Sequence, residues 1–206
     1  MNEAAETSSH LATFAILLFY WAVLNLWPKL MLPGEDEKST RTTVCGSIHD
    51  HALQLAPSIS TAIDAMHRID HHFDPRLFVA EATAAYERVI KAYADMDLET
   101  LGRLVSPEVL KVFADEFTAR QQRQGTLDLT LVGVQEATIA DVNFDGEDAE
   151  ISIRFASEMI SVERDPAEVV IAGNPKAIIP SADLWVFARN FGSTDRSWLI
   201  IATGDA

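Results

Sequence analysis

The sequence has one cysteine, Cys45, and so can form no internal disulfide and no Cys-x-x-Cys redox or metal site. All six histidines (His10, His49, His51, His67, His71 and His72) fall before Asp74. From Asp74 onward there is neither histidine nor cysteine, which excludes Ser-His-Asp and Cys-His nucleophilic arrangements within that stretch. Glycine-rich phosphate loops are missing as well. So are clusters of Lys and Arg: the formal charge is -15 and the pI near 4.6, which argues against nucleic acid and against electrostatic binding to anionic headgroups. The acidity belongs to the C-terminal part, where residues 74–206 carry 23 acidic and 12 basic residues, a balance of -11. That balance favours solubility or a basic protein partner.

Charge of either sign disappears between Glu6 and Lys29, a run of 22 residues that includes the apolar stretch Leu11 to Leu26. As a helix it would reach about 33 Å, enough to cross a hydrocarbon core of about 30 Å. Trp27 and Lys29 suit an interfacial end. A cleaved signal peptide wants a basic start and a small-x-small site, and the chain starts Met-Asn-Glu-Ala-Ala-Glu. The expectation is a single uncleaved transmembrane anchor within residues 1–32, embedded over 11–32. Lys29, Lys38 and Arg41 follow the span and no Lys or Arg precedes it, so the positive-inside rule puts the C-terminal domain in the cytoplasm.

Residues 33–73 read as a flexible linker, with turn formers and charge from Pro33 to Thr43. Within it Ile59, Ile63 and Met66 keep a spacing that allows a short amphipathic helix. His67 and His71, four apart, have the spacing of a zinc pair, with Asp70 and Asp74 close by, but Arg68 stands where the glutamate of His-Glu-x-x-His belongs. A solvated polar face explains these residues without a metal, and no metal is assigned.

The folded domain is expected over 74–206. Asp74-Pro75 is a cap followed by proline at the first helical position, and Phe78, Ala82, Ala85 and Val89 run beside Val79, Tyr86, Ile90 and Tyr93 as a broad apolar stripe. Asp97 caps a short helix. Ser106-Pro107 opens another, carrying Val109, Phe113 and Phe117 and closed by Gly125. Beyond Gly125 the period changes to two: Leu127/Leu129/Leu131, then Ala149/Ile151/Ile153/Phe155. A short strand is expected at Val169 to Ile171. The runs Leu184 to Ala188 and Trp198 to Ala202 flank the turn-rich segment Asn190 to Asp195 and read as a hairpin at the centre of the sheet, covered on both faces. Helices first and strands after predict an α+β domain.

Two constellations could carry chemistry. Asp141-Val-Asn143-Phe-Asp145-Gly146 reproduces half of a calcium loop, but the twelfth position is Ser152 and the flanks alternate as strands, so a hairpin turn accounts for it. Asp183 with Tyr86 or Tyr93 would make a carboxylate–tyrosine proton-transfer site, against which stands a hydrogen-bonding aspartate beside core tyrosines.

Over roughly residues 73 to 203 the chain resembles the Tim44-like domain, found in the motor-tethering subunit of the mitochondrial inner-membrane protein translocase and in membrane-anchored bacterial relatives. The likeness rests on Phe78, the run from Ala85 to Tyr93, Leu101, Leu104, Ser106 to Val109, Phe117 to Arg120 and Gly125. It rests further on Phe155 to Glu158, Gly173, Asp183-x-Trp185-x-Phe187-x-Arg189, Trp198-Leu199 and Thr203. It implies helices on a curved antiparallel sheet, a cone similar to nuclear-transport-factor-two folds, with an apolar pocket. It implies an adaptor or scaffold role at a membrane, with no catalytic residue, cofactor or metal to carry over. The motor-binding region of the mitochondrial protein has no counterpart here. The expectation is a single-pass bacterial inner-membrane protein that binds a protein partner. A lipid or small apolar ligand held between Phe78, Tyr86, Phe117, Trp185 and Phe187 is the first alternative, and a small carboxylate–tyrosine enzyme the second.

Overall fold

A computed structural model describes residues 57–206. The expected anchor over 11–32, the tether up to residue 56 and Cys45 lie outside the described residues. Among the described residues four helices come first: α1 (Pro57–Ile69), α2 (Pro75–Ala94), α3 (Leu98–Leu101) and α4 (Pro107–Arg123). Five strands follow: β1 (Thr126–Asp145), β2 (Asp148–Arg164), β3 (Val170–Gly173), β4 (Ile179–Asn190) and β5 (Leu199–Asp205). This is the α+β order expected from the switch of period, with helices packed on one antiparallel sheet. Among the described residues no helix is long and apolar enough to cross a membrane.

Each of the longer capped helices starts where a side chain satisfies its free amides. Asp74 accepts from the Arg76 and Leu77 amides, with Pro75 behind it, and Ser106 accepts from Val109. α2 buries Phe78, Ala82, Tyr86, Val89 and Ala92, a stripe at three- and four-residue intervals that faces the sheet. At the end of α4 the left-handed position falls to Gln124 (φ 54°), one residue before the expected Gly125. An amide side chain tolerates that conformation at modest cost, so the helix stops one residue early.

The sheet runs in the order β1-β2-β4-β5, with β3 also paired to β2. β1 and β2 form a long hairpin closed by Gly146 and Glu147; Gly146, at φ 69°, sits at the first central position, as a type II′ turn requires. The segment Asp141–Gly146 that resembles a calcium loop is thus the end of β1 and the first residue of this turn. Register shifts at Leu131/Gly133, Val134/Glu136 and Ile139/Asp141 mark bulges in β1, each of which bends and twists the strand. The β4–β5 pair is present, but β5 ends the sheet rather than lying at its centre. Nor is β4 covered on both faces: Asp183, Trp185 and Phe187 are buried while Leu184, Val186 and Ala188 are half-buried, because the helices lie on one side of the sheet. β3 begins one residue after the expected Val169 and ends at Gly173, where φ is 80° and a Cβ would sit 2.0 Å from the Ser161 carbonyl oxygen. Only glycine allows that approach.

The core takes in more of the chain than the boundary at Asp74 anticipates. Ile59, Ile63 and Met66 of α1, together with Phe73, belong to the same buried cluster as Tyr86, Phe155, Trp185 and Phe187. The spacing that allowed a short helix in the linker thus builds a structural element of the domain, and the tether is shorter by that helix. Met66 is fully buried, so Met66→Ala should cost about 2–5 kcal/mol of the stability of the whole domain, read as a lower midpoint in one cooperative denaturant transition. A change below about 0.5 kcal/mol, or a separate early transition, would mean that α1 is only laid against the surface.

Candidate functional site

The apolar face between α2 and the sheet contains one polar knot. Tyr86 projects from the middle of α2 onto β2 and β4, where its hydroxyl donates to Asp183 Oδ2 at 2.8 Å. Ser181 Oγ donates to the same oxygen at 2.9 Å. Ser157 Oγ lies 2.9 Å from the Tyr86 oxygen and, with the tyrosine proton committed to Asp183, supplies the proton of that bond. Phe155 stacks on the Tyr86 ring at 4.4 Å between centroids and Trp185 tilts against it at 4.6 Å. The carboxylate–tyrosine pair weighed from sequence is therefore Asp183 with Tyr86; Tyr93 points elsewhere, to Arg120.

Burial pushes the Asp183 carboxyl above the usual carboxylate range, with the bonds from Tyr86 and Ser181 pulling it down and the charge of Asp205 pushing it up again. Burial, then the Asp183 charge, push the Tyr86 phenol up, so it stays a donor across the physiological range. With Tyr86 at 0% and Asp183 at 4% exposure, this pair is part of the buried core and ties α2 to β4.

The five residues expected to line a pocket are all buried. Four of them meet: Phe78 packs edge-on against Phe187 at 5.7 Å, Tyr86 against Trp185, and Phe155 joins Phe187 and Trp185 at 6.5 and 5.9 Å. Phe117 sits in a neighbouring cluster, 5.3 Å from Tyr93, where the Arg120 guanidinium lies over both rings and donates to Tyr93 Oη at 2.9 Å. A cleft of about 490 Å³ occurs elsewhere, at the α1–α2 junction, between Ile63, Asp64, His67, His71, Phe73 and Leu77. The zinc-spaced pair lines it, with ring centroids 5.7 Å apart, and His67 Nδ1 donates to the Phe73 carbonyl at 3.2 Å. Among the described residues no three His, Cys, Asp or Glu side chains are grouped to hold a metal ion.

Asp70, offered by sequence as a possible metal ligand, has another partner. It accepts from Arg189 Nη2 at 3.0 Å across 119 residues of sequence, with both side chains largely buried. The guanidinium lies 4.4 Å over the Phe191 ring and 6.0 Å from Trp198, and its Nε is buried without a hydrogen-bond partner. Burial works against ionisation of Asp70, but the His72 amide and the Arg189 guanidinium outweigh it and hold the carboxyl below its usual range. The role of Arg189 had a trace in the sequence. It shares the odd-numbered parity of Asp183, Trp185 and Phe187, so it lies on the core side of β4 and needs an anion there.

These features define an α+β domain whose long helix is clamped to an antiparallel sheet by a buried tyrosine–aspartate bond, with a leading helix held by a buried ion pair. The model of the Tim44-like domain matches residues 59–205, more than half of the sequence, and the chain belongs to that family. Its match starts inside α1, in line with the place of that helix in the core. Among solved structures, the intermembrane space region of the chloroplast protein ARC6 is similar at 20% identity and a TM-score of 0.41, over 65% of this chain and 97% of that one. Among curated proteins none matches this chain.

The buried groups make two predictions. A carboxyl whose folded pKa is raised contributes stability that is complete below its unfolded value, about 3.9, and is lost as pH rises through the folded value. The native domain should therefore lose thermal midpoint above about pH 4 as Asp183 ionises, and Asp183→Asn should flatten that fall; an unchanged slope would place the titration elsewhere. Asp70→Ala leaves the Arg189 charge buried without its anion and should cost about 3–5 kcal/mol in chemical unfolding, while Lys91→Ala, which breaks an exposed pair with Asp95, should cost less than about 0.5. Equal costs would show that the Asp70–Arg189 pair is solvated in solution.

Proposed function

We propose that this chain is a membrane-anchored adaptor whose Tim44-like domain binds another protein on the cytoplasmic side of a bacterial inner membrane, in the handling or transport of proteins there. The observation that carries the reading is the closed core. The five aromatic side chains that would form an interior pocket fill the space between α2, α4 and the sheet at 0–4% exposure, which favours recognition by the outer surface. Family membership supports a role of this kind, and the charge-free run from residue 7 to residue 28 supports the anchor. The acidic balance of residues 74–206 gives the domain a surface suited to a basic protein and unsuited to anionic lipid.

A non-enzymatic role agrees with the same features. The Tyr86–Asp183 pair is a core bond under Phe155 and Trp185, and its components are spent on each other. Holding a lipid or a small apolar ligand would require the Phe78–Phe187 and Tyr86–Trp185 contacts to part.

Anchor and orientation are tested together by fractionation of the full chain in bacterial membranes. The protein should stay with the membranes through alkaline carbonate extraction, and protease should digest residues 74–206 in inverted vesicles and spare them in right-side-out ones. Release by carbonate would remove the anchor, and the reverse digestion pattern would place the domain on the other side.

A further inference from the structure

The two sides of the sheet are finished differently. At the outer edge of β5 the Leu104–Ser106 segment is laid in: Ser106 N donates to Ile200 O at 2.8 Å and Ile200 N donates to Leu104 O at 2.9 Å. β3 has no such cover. Among the described residues it pairs with β2 alone, lying end to end with β4 along one edge of β2, with Gly173 opposite Val162 and Ile179 opposite Met159. Among the described residues no strand pairs with its other edge, and such an edge is a template for another strand.

The side chains along this edge are apolar and exposed. Val169 and Ile171 are each 58% exposed, Val170 38% and Ile178 54%. Single exposed aliphatics need no explanation, but four within ten residues, two of them on β3 and two on the segments that flank it, form a patch, and the bulge at Ile171, which has no partner in the β2 register, leaves that side chain among the most exposed. Charge says what such a patch would meet. Asp165 and Glu168 lead into it, while the Arg164 guanidinium is engaged by Asp128 Oδ2 at 3.3 Å and the Glu168 carbonyl at 3.4 Å. Lys176 is the other cation of the stretch. A second copy of this chain would bring the same carboxylates against them, and an anionic bilayer would be repelled.

The geometry points to the outer edge of β3 as the docking site for an extended segment of a partner protein, added as a further strand, in which apolar residues alternate with lysine or arginine. Main-chain bonds to β3 give such a segment its register, its apolar side chains cover the exposed aliphatics at Val169, Val170 and Ile171, and its cations meet the exposed Glu168. The inference rests on the adaptor reading and names a surface for it.

The test uses the full chain in detergent and a monomeric ten-residue peptide alternating valine and lysine, with a valine–glutamate peptide as control, read by amide hydrogen exchange. The valine–lysine peptide should slow exchange of the amides in 169–173 about tenfold, the control should not, Ile171→Arg should abolish the effect and Glu168→Lys should weaken it. Because Ile171 and Glu168 are exposed, an unchanged thermal midpoint in both variants keeps the fold out of the comparison. Protection absent, located away from β3, or equal for the two peptides overturns the proposal, as does a dimer dispersed by Ile171→Arg, which would make a second copy the occupant. A purified native partner that stays bound to Ile171→Arg would sink the β3 site while leaving the adaptor reading in place; loss of anchor or orientation in the fractionation would sink that reading while leaving the peptide result standing.

Discussion

The hydrogen bond from Tyr86 to Asp183 joins residues 97 positions apart and sets how the helical layer sits on the sheet. A phenol and a carboxyl in an apolar core each cost free energy unless paired, so the pair is satisfied in one docking of α2 on β4 and left unsatisfied in its neighbours. A one-residue slip of β4 would turn Asp183, Trp185 and Phe187 together to the outer face. The aromatic packing around the knot supplies the bulk of the stabilisation, and the polar bonds select the register. The residues that read as a proton-transfer pair in sequence thus form a buried bond between helix and sheet.

The second constraint is the Asp70–Arg189 pair, which attaches the turn after α1 to the end of β4. The leading helix is thereby part of the load path between the domain and whatever precedes it. A chain pulled from its N-terminal side would strain Ile59, Ile63, Met66 and then this ion pair before it reached the sheet. The open β3 edge lies at the far end of β2 from the Gly146 turn, beside exposed aliphatics that take no part in the core cluster.

Much of this was legible in the sequence, and the parts that were not have physical reasons. The Asp74-Pro75 and Ser106-Pro107 caps, the α2 stripe and the alternation in β2 are local signals, and the elements follow them. The position of α1 was not legible: Ile59, Ile63 and Met66 show a helix, but what they pack on is sheet far down the chain. β4 looked covered on both faces because Leu184, Val186 and Ala188 are apolar, whereas half-buried outer positions tolerate such residues without a covering layer. Asp183 was visible as an odd carboxyl in an apolar run; that its partner was Tyr86 and not Tyr93 depends on the rotation of α2, which spacing leaves free. Arg189 carried its message in its parity, but its partner Asp70 sat in a histidine-rich stretch that suggested metal ligation, and only the closed fold brings the two together.

The central claim, a filled core that leaves recognition to the outer surface, is tested most directly by native mass spectrometry of the full chain purified under mild conditions. The account predicts the polypeptide either alone or with a protein partner, and no adduct of lipid size that survives collisional activation. A stoichiometric lipid-sized adduct, retained by the native chain and lost from Trp185→Ala at unchanged fold, would contradict it.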